Sequence, residues 1–234
     1  MIRALVAVTF YAVMIPIAAL IAFPWAFLSG SVDFLYRVAM WIARTGVRLA
    51  GVRIDVIGLD TLNLDRNYIF MANHVSNADP PILIPSLPRR TSVLVKRELF
   101  KIPVLAQAMR MASLVPIDRH NKDAAIASVR RAADVLATGL DMTVFPEGTR
   151  SPDGRLLPFK KGPFYMAMDS GVPIVPVTIV GTHRILPKGT LRVFPGRAVL
   201  IFHPPIDPHD YPDRDALIGA VRDAIAASLP PELQ

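Results

Sequence analysis

The chain has 234 residues, carries a formal charge of +7 and is 52% hydrophobic. Its length accommodates one α/β domain and a smaller appendage. The basic charge fits either nucleic acid or an anionic lipid surface, and the mean hydropathy of +0.39 favours the lipid surface. The absence of cysteine excludes disulfides, thiolate metal ligands and a thiol nucleophile. Because the histidines show no metal-ligand spacing, we predict no metal site.

The N-terminus is an apolar segment. Residues 4–32 contain no charged side chain, and the run is longer than the roughly 20 residues that a helix needs to cross a bilayer. It is too long for the core of a signal peptide and offers no clear A-x-A cleavage site, so we expect it to be retained. Pro16 and Pro24 each remove a helix hydrogen bond, which leaves open a kinked span and a re-entrant hairpin within one leaflet.

The next segment, residues 31–52, has the pattern of a basic amphipathic helix. Arg37, Arg44 and Arg48 fall within one narrow stripe at helical spacing, and apolar side chains fill the remaining face. We predict that this helix lies among lipid headgroups, the alternative being that it packs on the following domain. The arginine excess here, compared with Arg3 alone before the apolar run, places the bulk of the chain on the cytoplasmic side of the membrane.

After residue 50 the periodicity changes to that of an α/β domain. Strands are predicted at 52–56, 68–72, 92–95, 112–117, 142–145 and 172–180. Helices are predicted just after residue 79 and at 103–110, 123–138, 162–169 and 213–229. A hairpin is predicted where 191–194 and 198–202 flank Pro195-Gly196. We therefore expect membrane-associated helices over residues 1–50, and over 51–234 an α/β fold whose mixed, largely parallel sheet is flanked by helices.

A histidine and a carboxylate emerge where the strand at 68–72 ends. His74 is suited to take a proton from a hydroxyl, and Asp79 could orient its ring and stabilise the imidazolium that forms. Asp79 could instead be no more than a helix cap before Pro80. The chain has no G-x-S-x-G motif, which disfavours a serine nucleophile. The pair therefore indicates that the nucleophile is an alcohol of the substrate, which attacks an acyl donor.

Three further strand ends carry charge. Lys96 and Arg119 each follow a predicted strand, and E-G-T-R-S follows another at 147–151. Because carboxyl ends of parallel strands share one edge, these groups can converge with His74. Singly, each is also typical of a solvated loop or turn. Lysine and arginine are natural phosphate ligands, and Gly148 would let the backbone approach a ligand, with amides available to an oxyanion.

Four motifs in order give the chain a family resemblance. They are N-H-V-S-N-A-D at 73–79, V-P-I-D-R at 115–119, F-P-E-G-T-R-S at 145–151 and V-P-I-V-P-V at 172–177. The chain resembles the glycerophospholipid acyltransferases, and among them the bacterial 1-acyl-sn-glycerol-3-phosphate acyltransferases. The resemblance extends over about residues 50–190 and includes I-L-P-K-G at 185–189.

The resemblance implies roles for individual residues. His74 would be the general base and Asp79 its orienting partner, while Arg119, Glu147 and Arg150 would contact the acceptor. Lys96 is added as a second phosphate ligand because of its position at a strand end. The strand at 172–177 looks like the motif that binds the acyl donor in the family, and would equally serve as core. The predicted substrate-binding set is Lys96, Arg119, Glu147, Gly148, Thr149 and Arg150.

The resemblance also implies a reaction. An acyl group would pass from acyl-CoA or acyl carrier protein to the sn-2 hydroxyl of lysophosphatidic acid, giving phosphatidic acid without a bound cofactor. The expected partners are these substrates and the bilayer, with no nucleic acid, and the catalytic domain would lie on the cytoplasmic face of the membrane. The alternatives are another acceptor such as lyso-ornithine lipid, another lysophospholipid or a glycolipid precursor, a hydrolase, and a non-catalytic lipid-binding protein.

Overall fold

The structure is a computed structural model that describes residues 2–118, 122–190 and 192–234. It begins with two helices, α1 (Ile2–Ser29) and α2 (Asp33–Leu49). The α/β domain that follows contains β1 (Val52–Ile57), β2 (Ile69–Ala72), α3 (Asp79–Leu83), β3 (Thr91–Lys96), α4 (Pro103–Met111), β4 (Val115–Ile117), α5 (Lys122–Ala137), β5 (Asp141–Val144), α6 (Gly162–Ser170), β6 (Ile174–Val180), α7 (Thr182–Ile185), β7 (Gly196–Phe202) and α8 (Arg214–Ala227).

One mixed sheet organises the domain. Its strand order is β1-β7-β6-β2-β5-β3-β4. The strands from β6 to β4 in this order run parallel, whereas β7 is antiparallel to β6 and parallel to β1. The carboxyl ends of β2, β3, β4, β5 and β6 therefore meet at one edge, which we call the site edge. The predicted α/β class and the largely parallel sheet are confirmed.

The predicted hairpin around Pro195-Gly196 is wrong. Residues 192–195 are not a strand, and Leu191 lies outside the described residues. The strand β7 has β1 on one side and β6 on the other, so no edge remains for residues 192–194. This segment instead folds onto α7, where Phe194 N–H donates to the carbonyl of Ile185 at 2.8 Å. The antiparallel part of the sheet is the pairing of β6 with β7.

Two hydrophobic cores cover the faces of the sheet. Along β2, Phe70 and Ala72 point into one core and Ile69 and Met71 into the other, as the alternation of a strand dictates. The first core includes side chains from α2 and α3, and the second is closed by α5, α6 and α8. Because β2 is buried on both faces, the loop that follows it is held firmly at the site edge.

The first two helices form an antiparallel hairpin. The helix α1 continues through Pro16 and Pro24 without a break, so of the two alternatives left open for the apolar run the re-entrant hairpin does not form. Near its start, the Tyr11 hydroxyl donates to the carbonyl of Ala43 at 3.3 Å. Near its end, the ring of Trp25 packs on Phe34, with the ring centroids 6.1 Å apart. The hairpin therefore consists of α1 and α2, which lie side by side.

The helix α2 packs on the α/β domain, which was the alternative interpretation of its sequence. It contacts α3, the turn at 84–86 and β1. Arg44 Nε donates to the carbonyl of Pro85 at 2.9 Å, and its Nη2 donates to the same oxygen. Arg90 approaches Asp33 to 3.4 Å at the other end of the helix. Contact of the exposed face of α2 with lipid headgroups stays a prediction.

Candidate active site

The loop after β2 is tied to the sheet by an asparagine. Asn73 is 1% exposed, and its amide nitrogen donates to the carbonyl of Ile179 at 3.0 Å. Its amide oxygen accepts the N–H of Ile179 at 2.7 Å. The side chain thus replaces a strand residue in bonding to β6, and it allows the backbone to leave the sheet immediately before His74.

His74 and Asp79 form a buried, hydrogen-bonded pair at the site edge. The distance between His74 Nδ1 and Asp79 Oδ2 is 2.7 Å, and the aspartate is fully buried while the histidine side chain is 12% exposed. With the Nδ1 proton directed at the carboxylate, the lone pair lies on Nε2. The imidazole stacks on the Phe145 ring with the centroids 4.2 Å apart, which fixes its plane.

Asp79 binds backbone groups of the loop as well as the His74 ring. Its Oδ2 also accepts the N–H groups of Val75 and Ser76, each at 2.8 Å. Among the described residues its Oδ1 has no hydrogen-bond partner. Asp79 is the first residue of α3 rather than its N-cap, so the interpretation as a simple helix cap is wrong. The carboxylate shapes the turn between the two residues and holds the imidazole at its tip.

Glu147 binds backbone groups. It is 1% exposed; its Oε1 accepts His74 N–H at 2.6 Å, and its Oε2 accepts Leu157 N–H at 3.2 Å. The reciprocal bond from Ser151 N–H to the carbonyl of His74 measures 2.8 Å. Both carboxylate oxygens are therefore engaged from inside the protein. This geometry holds the backbone of His74 in place, and the predicted contact of Glu147 with an acceptor stays a prediction.

Burial is the main influence on the pKa of the Glu147 carboxyl group. Desolvation raises the pKa of Glu147 from 4.5 to about 7, although the N–H groups of His74 and Leu157 oppose the shift. The nearby Asp79 carboxylate raises this pKa further, and Arg222 lowers it. The group that locks the backbone of His74 thus changes its charge close to neutral pH.

The E-G-T-R loop forms a tight turn beside the pair. Gly148 has φ +70°, which favours glycine, and its N–H donates to the carbonyl of Phe145 at 3.0 Å. The amide of Gly148 itself is therefore engaged within the turn, and the predicted availability of loop amides to an oxyanion rests on the next residues. In the described part of the chain no acceptor faces the N–H groups of Thr149 and Arg150. The carbonyl of Arg150 accepts Lys188 Nζ at 2.7 Å.

The other predicted ligands are less closely tied to the pair. The exposed ammonium of Lys96 lies 3.7 Å from Glu98, and β5 separates its strand from β2. Arg119 lies outside the described residues, and the Asp118 that precedes it is 3.4 Å from Arg97. Within the described ranges, no group of three or more His, Asp or Glu side chains could hold a metal ion. The phosphate roles of Lys96 and Arg119 stay predictions.

Comparison with known proteins agrees with this geometry. A family model described as Acyltransferase matches residues 53–180. The chain belongs to this acyltransferase family. It is 35% identical over 210 residues to a 1-acyl-sn-glycerol-3-phosphate acyltransferase of Limnanthes alba, a match that covers 88% of this chain and 73% of that protein. A protein of the same name from Borreliella burgdorferi is 29% identical over 196 residues, with 82% and 75% covered.

A solved structure is also similar. The crystal structure of the 1-acyl-sn-glycerophosphate (LPA) acyltransferase PlsC from Thermotoga maritima superposes with a TM-score of 0.81 at 30% sequence identity. The match covers 97% of this chain and 94% of that one, so it includes the helical hairpin as well as the α/β domain.

In this acyltransferase the arrangement can move one proton. Among the described residues the Nε2 of His74 has no hydrogen-bond partner, and the buried carboxylate of Asp79 is placed where it could stabilise an imidazolium. Glu147 and Asp79 restrain the backbone on both sides of the histidine, so the imidazole is preorganised. These features suit general-base activation of a bound hydroxyl.

Sequence reasoning missed four residues that build this site. Asn73, Ser76, Phe145 and Lys188 lie within motifs that the sequence displays, but their partners are distant in sequence. Ser76 Oγ, for example, donates to the carbonyl of Leu186 at 2.7 Å. A polar residue directly beside a candidate base was the available signal for Asn73, whereas the contact of Lys188 with a backbone carbonyl leaves no trace in the sequence.

Proposed function

We propose that this acyltransferase moves an acyl group from a thioester to the sn-2 hydroxyl of lysophosphatidic acid, giving phosphatidic acid. The observation that carries the proposal is the buried pair of His74 and Asp79 at the site edge, where Nε2 has no partner in the described part of the chain. The names of the related enzymes supply the acceptor. The donor is acyl-CoA or acyl carrier protein, and no bound cofactor takes part in the steps below.

The chemistry needs one base, two proton transfers, the formation of a C–O bond and the cleavage of a C–S bond. His74 Nε2 takes the proton of the sn-2 hydroxyl while that oxygen attacks the thioester carbonyl carbon. The tetrahedral intermediate collapses as the C–S bond breaks, and the imidazolium returns the proton to the departing thiolate. Asp79 stabilises the imidazolium throughout. No covalent enzyme intermediate is required, in keeping with a chain that contains no cysteine.

The E-G-T-R loop is proposed to bind the developing charge. The N–H groups of Thr149 and Arg150, which have no acceptor among the residues that the structure describes, are the candidate donors to the oxyanion. The guanidinium of Arg150, together with Arg119 and Lys96, would hold the phosphate of the acceptor. Since Glu147 is buried against backbone N–H groups, its proposed contribution is to hold His74 in position.

The helical hairpin is proposed to place the enzyme on the cytoplasmic membrane, with the α/β domain on its cytoplasmic face. The helix α1 is long and apolar enough to cross a bilayer. It nevertheless lies along α2, which itself packs on the domain, so a span perpendicular to the membrane would draw the domain into hydrocarbon. This supports an α1 that lies in one leaflet, where the acceptor lipid also resides.

An acceptor panel tests the proposed reaction. Purified enzyme in detergent receives acyl-CoA or acyl carrier protein as donor, with lysophosphatidic acid and lyso-ornithine lipid offered separately. We expect product with lysophosphatidic acid only. Equal use of lyso-ornithine lipid would change the acceptor class, and loss of thioester without any acceptor would indicate a hydrolase. Inactivity with both donors and both acceptors would favour a lipid-binding protein.

A further inference from the structure

The segment 185–189, I-L-P-K-G, touches both loops of the site. At one end, Ser76 Oγ of the loop after β2 donates to the carbonyl of Leu186 at 2.7 Å. At the other, Lys188 Nζ donates to the carbonyl of Arg150 in the E-G-T-R loop at 2.7 Å. The segment therefore bridges the loop of the His74–Asp79 pair and the loop that carries the candidate phosphate ligand.

This contact places the ammonium of Lys188 against the backbone of Arg150, in the loop that carries the Arg150 guanidinium. An ammonium group has three N–H donors. Lys188 donates one of them to the Arg150 carbonyl, which leaves two for a ligand. Lys188 is exposed. Within residues 2–118, 122–190 and 192–234, no carboxylate forms an ion pair with either Lys188 or Arg150. Lys188 and Arg150 thus lie on two segments that touch, and neither has an acidic partner among the described residues, so both side chains are suited to bind one anion with more than one negative charge.

A phosphomonoester has this charge. At neutral pH its charge is about −1.5 to −2, whereas a phosphodiester carries a single negative charge. Arginine binds phosphate through a planar, bidentate fork, and lysine adds a compact charge that its flexible stem can orient. We propose that Lys188 binds the phosphate of the acceptor together with Arg150, and that it sets the preference for a phosphomonoester headgroup. This inference rests on the proposed function and assigns a further residue to the same site.

A purely structural role would have a different signature. If Lys188 only supported the carbonyl of Arg150, its removal would disturb the whole E-G-T-R loop, including the N–H groups proposed for the oxyanion. Turnover would then fall alike for every acceptor. A phosphate ligand affects instead the KM of acceptors in proportion to the charge of their headgroups.

The experiment compares Lys188→Met with wild-type enzyme on lysophosphatidic acid, lysophosphatidylglycerol and monoacylglycerol. Methionine keeps an unbranched apolar stem and removes the charge. We expect the KM for lysophosphatidic acid to rise about tenfold or more, with kcat within about threefold of wild type. The preference for the monoester over the diester should fall by a similar factor, and any transfer to monoacylglycerol should be unchanged. Lys188→Arg should restore most of the preference.

Arg192→Met is the matched control. Arg192 is exposed on the same stretch of chain, and its side chain forms no hydrogen bond or ion pair in the described structure. Its removal should leave the three KM values unchanged. An unaltered preference in Lys188→Met, or an equal fall of kcat with all acceptors, would overturn the inference. A wild-type enzyme that does not acylate lysophosphatidic acid would instead overturn the proposed function.

Discussion

The site edge and the helix α1 differ in how their side chains suit water. At the site edge, the buried polar side chains of Asn73, Asp79 and Glu147 are hydrogen-bonded to backbone groups. Along α1, large apolar side chains are exposed, among them Leu20 at 76% and Phe27 at 83%. One region bonds its buried polar side chains internally, whereas the other exposes a surface that water does not favour. The comparison separates the part of the chain that holds the candidate site from the part that is proposed to lie in lipid.

At the site edge, the substitution Asp79→Asn should have the largest effect on turnover. The amide removes the charge that stabilises an imidazolium, and it presents N–H donors to backbone N–H groups that need an acceptor. We expect turnover to fall on the order of 10²- to 10⁴-fold. Acyl transfer measured alongside near-ultraviolet circular dichroism would separate the loss of activity from loss of fold. Activity within a few-fold of wild type would contradict the assigned role.

The ionisation of Glu147 at the site edge should make the free energy of unfolding depend on pH. Because the folded-state pKa of about 7 exceeds the ordinary value of 4.5, the folded protein binds more protons than the unfolded chain between these limits. The free energy of unfolding should therefore decrease as pH rises from about 4.5 through 7, by on the order of 3 kcal/mol from this group.

Glu147→Gln should lack this component of the pH dependence. Chemical denaturation in detergent at a series of pH values would measure the slope in both proteins. Asp141, whose pKa burial also raises, contributes equally to both and cancels in the difference. Identical slopes for wild type and Glu147→Gln would contradict the account of this carboxyl group.

Leu20→Arg tests the other side of the comparison. Leu20 lies in the exposed apolar surface of α1, so an arginine there should weaken association with phospholipid vesicles by roughly 30-fold, about 2 kcal/mol. Leu64→Arg is the control, since Leu64 is 50% exposed in the α/β domain. Vesicle flotation would measure both variants. Equal release by the two substitutions would show that α1 is not the lipid-binding element.

Arg44→Met tests the connection between the two regions. It removes the hydrogen bonds from α2 to the carbonyl of Pro85, and we expect a loss of about 1 kcal/mol in the free energy of unfolding. Arg48→Met is the matched control on the same helix, because the exposed Arg48 side chain makes no such contact in the described structure. Denaturant unfolding compares them, and equal stabilities would show that the Arg44 contact contributes nothing.

The sequence predicted those features that depend on local pattern. The contact between His74 and Asp79 follows from a buried strand, a five-residue separation and a turn, all readable in the chain. The strand β4 begins three residues later than predicted because the turn at 112–114 closes α4, with Ser113 N–H donating to Arg110. Patterns of polarity do not reveal such a closing turn.

Features that depend on sheet order could not be predicted. The failed hairpin at 191–202 required knowledge that β1 and β6 both pair with β7. The role of Glu147 required the positions of two backbone N–H groups, one of them 73 residues earlier in the chain. The glutamate is visible in the motif, but only the fold shows that its side chain is buried against backbone N–H groups.

The most direct measurement of the central claim is acyl transfer to lysophosphatidic acid by His74→Ala beside wild-type enzyme. The substitution removes the side chain proposed to accept the proton of the hydroxyl and leaves the backbone bonds of residue 74 to Glu147 and Ser151 in place. The account predicts a folded protein whose turnover has fallen by at least about 10²-fold. Turnover close to that of the wild type in a folded His74→Ala protein would contradict it.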